Sequence, residues 1–201
     1  MPFDQQTLEI YNGRSAEYAK WSKPVQPSKF LLRMIDMLPP NGTVLDFGCG
    51  AGWDAAAIRR AGFSVTAIDG SSGLVEEANR LHGIGAICIT FDRFDMIGAF
   101  DGVWASFSLQ HVPRESLPAV LKKINRALKP RGVLFAAMHA GKVTRRDSLG
   151  RLYCHQDMKE LPYMLGKAGF SKPKIQIASG KGFDGTVAEH LYFEAAKRYD
   201  S

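Results

Sequence analysis

The chain has 201 residues, 45% of them hydrophobic and 23% charged, with a formal net charge of +6. That length fills one substantial core, and the composition is that of an ordinary globular protein, which excludes disordered and fibrous classes. The cationic excess is mild and interspersed with apolar and acidic residues, so no basic stripe for nucleic acid is expected.

The opening residues lack a basic-then-apolar leader pattern, and no apolar run approaches the roughly 20 residues that span a bilayer. A cytoplasmic chain without membrane attachment is therefore expected. Residues 5–22 predict a first helix and residues 28–38 a second, after which "PPNG" breaks the chain. "TVLDF" (43–47) predicts a buried strand, and a glycine turn leads into the helix "WDAAAIRRA", ended by Gly62. "FSVTAID" (63–69) predicts a second strand and "SSGLVEEANRLH" (71–82) a helix with serines available as caps. Further strands are expected over 84–90 and 100–107, then a helix over 115–128 and a fifth strand over 133–139.

Residues 140–155 show little periodicity and predict a functional or mobile loop. "DMKELPYMLGKAG" (157–169) predicts a helix with Asp157 and Glu160 as a capping box, although Pro162 sits awkwardly inside it. "KIQIAS" and "TVAEHLYFEAAK" predict a closing antiparallel pair. Strands alternating with helices imply a mostly parallel sheet with helices on both faces. No linker interrupts the pattern, so 1–201 is expected to be one domain. Cys49, Cys88 and Cys154 stand far apart with no C-x-x-C pair, which predicts free thiols and no metal site.

The chemistry concentrates in "VLDFGCGAGWDAAAIRRAG" (44–62). A strand, a glycine turn and a helix present backbone N–H groups and a positive helix end to a ligand. A dinucleotide turn has the spacing G-x-G-x-x-G/A, but here the third small position is filled by Trp53, and the spacing is G-x-G-x-G over Gly48, Gly50 and Gly52. Asp46 at the lip of the turn would repel a diphosphate and favour a ligand with an ammonium and a sulfonium. S-adenosylmethionine is such a ligand. Asp69 ends the second strand 69 − 48 = 21 residues after the first glycine, where a carboxylate can accept ribose hydroxyl protons.

With "VLDFGCGAG", "VTAIDGSSGLVEEA", "FDGVWASFSLQHVP" and "INRALKPRGVLFAAM" the chain resembles the class I S-adenosylmethionine-dependent methyltransferases from about Tyr11 to Lys197. The resemblance implies an α/β Rossmann-like sheet of seven strands, mostly parallel with the last antiparallel, in three α/β/α layers. It implies that Asp46, Gly48, Cys49, Gly50, Ala51 and Gly52 line the methionine end of the cofactor, and that Asp69, Gly70 and Ser71 hold the ribose. Phe91, Asp92 and Arg93 are expected at the adenine, with Ser106 and Phe107 facing the sulfonium. Tyr11 and Tyr18 would close the pocket from an N-terminal helical lid over 1–40. A closer similarity, on "DGVWA", "HVP" and "RRDSLGR", is to a small bacterial group likened to tellurite-resistance methyltransferases.

Methyl transfer from a sulfonium needs in-line positioning, and a base only if the nucleophile arrives protonated. His111 in "SLQHVP" is the candidate base. His139, Arg145, Arg146 and Arg151 are candidates to orient an anionic small-molecule acceptor, with Tyr153 as a wall and 140–155 as the acceptor-side loop. The competing readings are a nucleic-acid methyltransferase, a nicotinamide-dependent oxidoreductase, and a regulatory module that binds the cofactor without transfer.

Overall fold

The computed structural model describes residues 3–198; residues 1–2 and 199–201, the ends of the expected domain, lie outside the described residues. A seven-stranded sheet forms the centre, built from β1 (Thr43–Phe47), β2 (Ser64–Asp69), β3 (Ile87–Cys88), β4 (Phe100–Ser106), β5 (Leu128–His139), β8 (Lys174–Lys181) and β9 (Val187–Ala196). Its order is β3-β2-β1-β4-β5-β9-β8. β9 runs antiparallel to both its neighbours, and the remaining strands run in one direction. The expected Rossmann-like architecture is present.

Strand alternation sends successive side chains to opposite faces. Leu45, Phe47, Val103, Ala105, Leu134 and Ala136 meet α6 (Leu117–Ala127) and α7 (Leu161–Lys167) on one face. Val44, Trp104 and Phe135 meet α3 (Lys29–Met37) and Ile58 of α4 (Trp53–Arg60) on the other, where α5 (Ser72–His82) also packs. Burial of these two apolar layers holds the sheet. The chain reverses direction across the sheet between β1 and β4, so their carboxyl ends frame a crevice, the usual ligand position in open α/β sheets.

Five local expectations are corrected. The helix expected over 5–22 is two, α1 (Gln5–Gly13) and α2 (Ser15–Trp21), because Arg14 leaves helical geometry at φ −124°, ψ 23°. The break aims Asn12 at the start of α5, where its Oδ1 accepts from Ser71 Oγ (2.6 Å) and Gly73 N (3.1 Å). The strand expected over 84–90 shrinks to Ile87–Cys88, an exposed edge. The fifth strand starts earlier, at Leu128.

The loop at 140–155 contains a hairpin, β6 (Thr144–Arg146) with β7 (Leu152–Cys154). Asp147 builds its turn, its Oδ1 accepting from Leu149 N and Arg151 N. The helix expected over 157–169 begins only at Leu161, which places Pro162 in its first turn, where no intrahelical donor is lost. Asp157 and Glu160 form no capping box; Asp157 Oδ1 instead accepts from Lys159 N at 2.9 Å. No helix among the described residues is long and apolar enough to cross a membrane.

Candidate functional site

β1 ends in a turn whose three glycines all have positive φ: Gly48 at 87°, Gly50 at 53° and Gly52 at 79°. Gly48 N and Cys49 N both donate to Ile68 O at 2.9 Å, and Gly50 N donates to Asp69 Oδ2 at 2.8 Å. The turn is thereby tied to the end of β2. A Cβ on Gly48 would lie 2.2 Å from Ser108 Cβ, so only glycine fits. Gly52 faces elsewhere, where an added Cβ would lie 2.8 Å from Ile84 Cδ1 and 3.0 Å from Ala78 Cβ, and it caps the start of α4.

Two adjoining cavities open above this turn. One, of about 670 Å³, is lined by Tyr11, Asp69, Gly70, Phe91 and His111; the other, about 820 Å³, by Asp46, Cys49, Ala51, Trp53, Asp54 and Trp104. Tyr18, Gly48, Gly50, Ser106 and Phe107 line both. The predicted cofactor residues thus gather at one place, except Gly52, Ser71, Asp92 and Arg93. Ser71 is fully buried as the cap of α5, its Oγ accepting from Leu74 N. In the expected adenine segment, Phe91 lines the cavity and stacks on Phe47 at 4.2 Å. Asp92 Oδ1 is buried without a partner, its backbone carbonyl accepts from Lys123 Nζ, and Arg93 is exposed.

Two acidic side chains, Asp46 and Asp54, line the second cavity. Asp46 is 2% exposed, and its Oδ2 has no hydrogen-bond partner. Burial, then the neighbouring Asp54 and Asp69 carboxylates, push the Asp46 carboxyl well above the usual carboxylate range. Asp54, also raised by burial, accepts from Trp104 Nε1 at 2.9 Å. An unpartnered buried carboxylate oxygen is costly, and a cationic ligand group beside it removes that cost. A diphosphate would add to the repulsion. Burial, then the Asp69 and Asp46 carboxylates, push the Cys49 thiol far up, so it stays a neutral wall.

α1 and α2 roof the cavities. The Tyr18 ring comes within 3.4 Å of a Cβ placed on Gly50, and Trp53 Nε1 donates to Ala19 O (3.1 Å), fastening α2 to α4. The hairpin holds the roof down: Arg146 pairs with Asp4 at 2.9 Å, and Leu152 N donates to Thr7 Oγ1 at 2.8 Å. Arg151, 1% exposed, pairs with Asp147 at 2.6 Å and donates from Nη1 to Tyr11 Oη at 2.7 Å. Its guanidinium is therefore already spent on Asp147 and the roof.

His111 Nδ1 lies 2.6 Å from Leu152 O, which accepts and so fixes the proton there; Nε2 then accepts from Tyr11 Oη at 3.1 Å. Burial pulls the His111 imidazole down to about 4, so it is neutral at pH 7 and a weak base. Among the predicted acceptor residues, His139, Arg145 and Tyr153 meet at a third cavity of about 210 Å³, with His155, Asp147, Asp184 and Thr186. Arg146 is drawn to Asp4 instead.

Sequence reasoning missed several lining residues. Asp54 had a legible signal, a second acid one residue past the tryptophan of the turn. His155, beside Cys154, invited only a nucleophile or metal reading that the lack of a third ligand argued against, yet it lines the third cavity. Phe183, which packs on Tyr18 and Trp21 at 5.3 Å, had no signal, because only the fold brings it near.

Comparison with known proteins bears on the family and the fold. Over 100 residues the chain is 38% identical to the ubiquinone biosynthesis O-methyltransferase of Xanthomonas oryzae pv. oryzae, covering 46% of this chain and 41% of that protein. Over 157 residues it is 35% identical to the 2-methyl-6-phytyl-1,4-hydroquinone methyltransferase of Synechocystis, covering 67% and 49%. The chain thus spans less than half the length of these curated relatives. Among solved structures, the 1,6-didemethyltoxoflavin-N1-methyltransferase of Burkholderia thailandensis, with 1,6-didemethyltoxoflavin and S-adenosylhomocysteine bound, superposes with a TM-score of 0.69 at 21% identity, covering 94% of this chain and 88% of that one. A methyltransferase-domain family matches residues 18–171. The chain therefore belongs to the methyltransferase-domain family, and its fold is the Rossmann-like one of that solved structure.

Proposed function

We propose that this domain binds S-adenosylmethionine and transfers its methyl group to a small-molecule acceptor. The observation that carries the reading is the unpartnered Asp46 Oδ2, buried with Asp54 and Asp69 nearby at the glycine turn. Asp46 and Asp54 would hold the ammonium of the methionine moiety. Asp69 already accepts one backbone N–H on each oxygen, from Gly50 and Ser71. Its remaining lone pairs suit the two ribose hydroxyls. Phe91 would flank the adenine, with Asp92 next to it for the exocyclic amine, and Ser106 and Phe107 would face the sulfonium.

When bound, the cofactor supplies an activated methyl on sulfur. The chain's own work is to orient the acceptor against that methyl and keep water out, and positioning of this kind is worth roughly 7–11 kcal/mol. Tyr11 and Tyr18, on the N-terminal lid expected over 1–40 and described from residue 3, close the roof to do so. Residues 140–155 form the acceptor side, with His139, Arg145 and Tyr153 at the third cavity. We take the chain as one cytoplasmic domain whose partner is a metabolite, not a nucleic acid. The similarity to the tellurite-resistance-like group adds metalloid oxyanions to the acceptors considered.

The test is release of S-adenosylhomocysteine over a panel of phenols, thiols, carboxylic acids and tellurite. Turnover of at least one member, lost in Asp69→Ala, is the expected result. Tight cofactor binding with no turnover across the panel would replace this reading with a regulatory binding module.

A further inference from the structure

Three acids surround the glycine turn, each from a different element: Asp46 in β1, Asp54 in the first turn of α4, and Asp69 at the end of β2. No lysine or arginine is among the described residues that line the two cavities there. Like charges gathered in a buried place without a counter-charge do not all ionise together.

The three are unequally served by donors. Asp69 accepts Gly50 N at 2.8 Å on one oxygen and Ser71 N at 2.9 Å on the other. Asp54 Oδ2 accepts Trp104 Nε1 at 2.9 Å. Asp46 lines the second cavity, is 2% exposed, and has no donor at Oδ2. Hydrogen bonds to the charged form keep a carboxylate ionised, whereas burial and a neighbouring negative charge favour the acid. Asp69 and Asp54 are the better served as carboxylates. Asp46 is therefore the member that carries a proton while no cation is present.

The other titratable groups around Asp46 bring no positive charge to it. Cys49 in the turn and Tyr18 on α2 are both pushed up, chiefly by burial, and stay neutral. Lys23 is exposed and sits over the Trp53 ring, its Nζ 5.7 Å from the centroid. His82 of α5 packs on that same ring at 4.5 Å. Burial, then Arg60 and Arg59, pull the His82 imidazole down, so it is neutral at pH 7. Arg59 itself donates to the His82 and Gly83 carbonyls.

We propose that the empty site holds one proton on Asp46 and releases it to solvent when the ammonium of the cofactor arrives, so that pH sets cofactor affinity. The proposal rests on the methyltransferase reading and adds a regulation of that same site. The Asp46 O–H bond breaks, its proton passes to water or buffer, and the carboxylate left behind pairs with the ammonium, which keeps its own three protons. The empty chain thus binds one proton more than the complex, and affinity rises with pH. The rise is at most about tenfold per pH unit, and it ends where Asp46 is already ionised in the empty chain. Acidification makes the folded chain shed its cofactor.

The experiment is calorimetric titration of the full chain with S-adenosylhomocysteine at pH 6.0 and 7.0, in phosphate, MOPS and imidazole. These buffers differ in ionisation enthalpy, and the slope of binding heat against that enthalpy counts the protons released. About half a proton or more per bound ligand is expected at pH 6.0, with affinity about threefold or more higher at pH 7.0. Asp46→Asn has no proton to give, so its slope should vanish and its affinity should not change between the two pH values. Asp54→Asn removes the neighbouring like charge and lets Asp46 ionise at lower pH, so it should release less at pH 6.0 than the parent. This second variant decides the matter if Asp46→Asn fails to fold. The proposal is overturned if the parent binds with no dependence on buffer, if Asp46→Asn releases the same proton, or if release is unchanged in Asp54→Asn. A parent chain that ignores S-adenosylhomocysteine overturns the methyltransferase reading instead.

Discussion

Arg151 gives the most quantitative test of how the roof is held. Its guanidinium is buried, donates to Asp147 Oδ2 from Nε at 2.9 Å and Nη2 at 2.6 Å, and reaches Tyr11 Oη at 2.7 Å. Its carbon centre lies 5.2 Å from the Tyr11 and Tyr153 rings. Arg151→Met leaves Asp147, 8% exposed, as a buried carboxylate without its cation. Removing one partner of a buried pair costs about 3–5 kcal/mol. Arg151→Lys keeps the charge but loses the planar fork, for a smaller loss of about 1–2 kcal/mol. In the double variant Arg151→Met/Asp147→Leu neither charge is stranded, so its loss should be smaller than the sum of the single losses by at least about 2 kcal/mol. Urea unfolding of the four chains measures the cycle, and S-adenosylhomocysteine affinity of the folded Arg151→Met chain reports on the roof through Tyr11. Additive losses, or a single-variant cost under about 1 kcal/mol, would refute the reasoning.

Two further outcomes follow from local geometry. Gly48→Ala forces a Cβ to within 2.2 Å of Ser108 Cβ at a backbone φ of +87°, and so disturbs the bond from Ser108 Oγ to Phe47 O; a loss of about 2–4 kcal/mol in urea unfolding is expected, and a neutral variant would contradict the turn geometry. The folded His111 imidazole titrates at about 4, below its ordinary 6.5, so between those values the unfolded chain binds the proton and the native chain does not. Stability from this group is full above pH 6.5 and is lost as pH falls toward 4, by up to about 3 kcal/mol. The stability gap between the parent and His111→Gln should therefore close on acidification from pH 7 to 4.5; parallel curves would contradict it.

The sequence made the sheet and the gathering of residues at the glycine turn legible because both are local. A strand, a turn whose glycines must take positive φ, and an acid at the next strand's end are set by contiguous residues. Arg14 ends α1 for a distant reason, the pull of Ser71 and Gly73 on Asn12, and no period in residues 5–22 shows it. The hairpin at 144–154 escaped notice because Thr144–Arg146 is exposed on every residue and shows no alternation. Arg151 read as a cation for an acceptor, since its partner Asp147 and the Tyr11 hydroxyl become its neighbours only when the hairpin closes on α1. His190 looked like a strand residue, and only the β5–β9 register sets it against His139.

The central claim is that the anionic turn was built for a cationic amino-acid tail on an adenosine. Titration calorimetry of the full chain with S-adenosylmethionine, S-adenosylhomocysteine and NAD tests it directly. Both sulfur ligands should bind one per chain, with NAD at least a hundredfold weaker, and Asp69→Ala should weaken the sulfur ligands by about 1–3 kcal/mol. Preference for NAD, or no heat with either sulfur ligand, would contradict it.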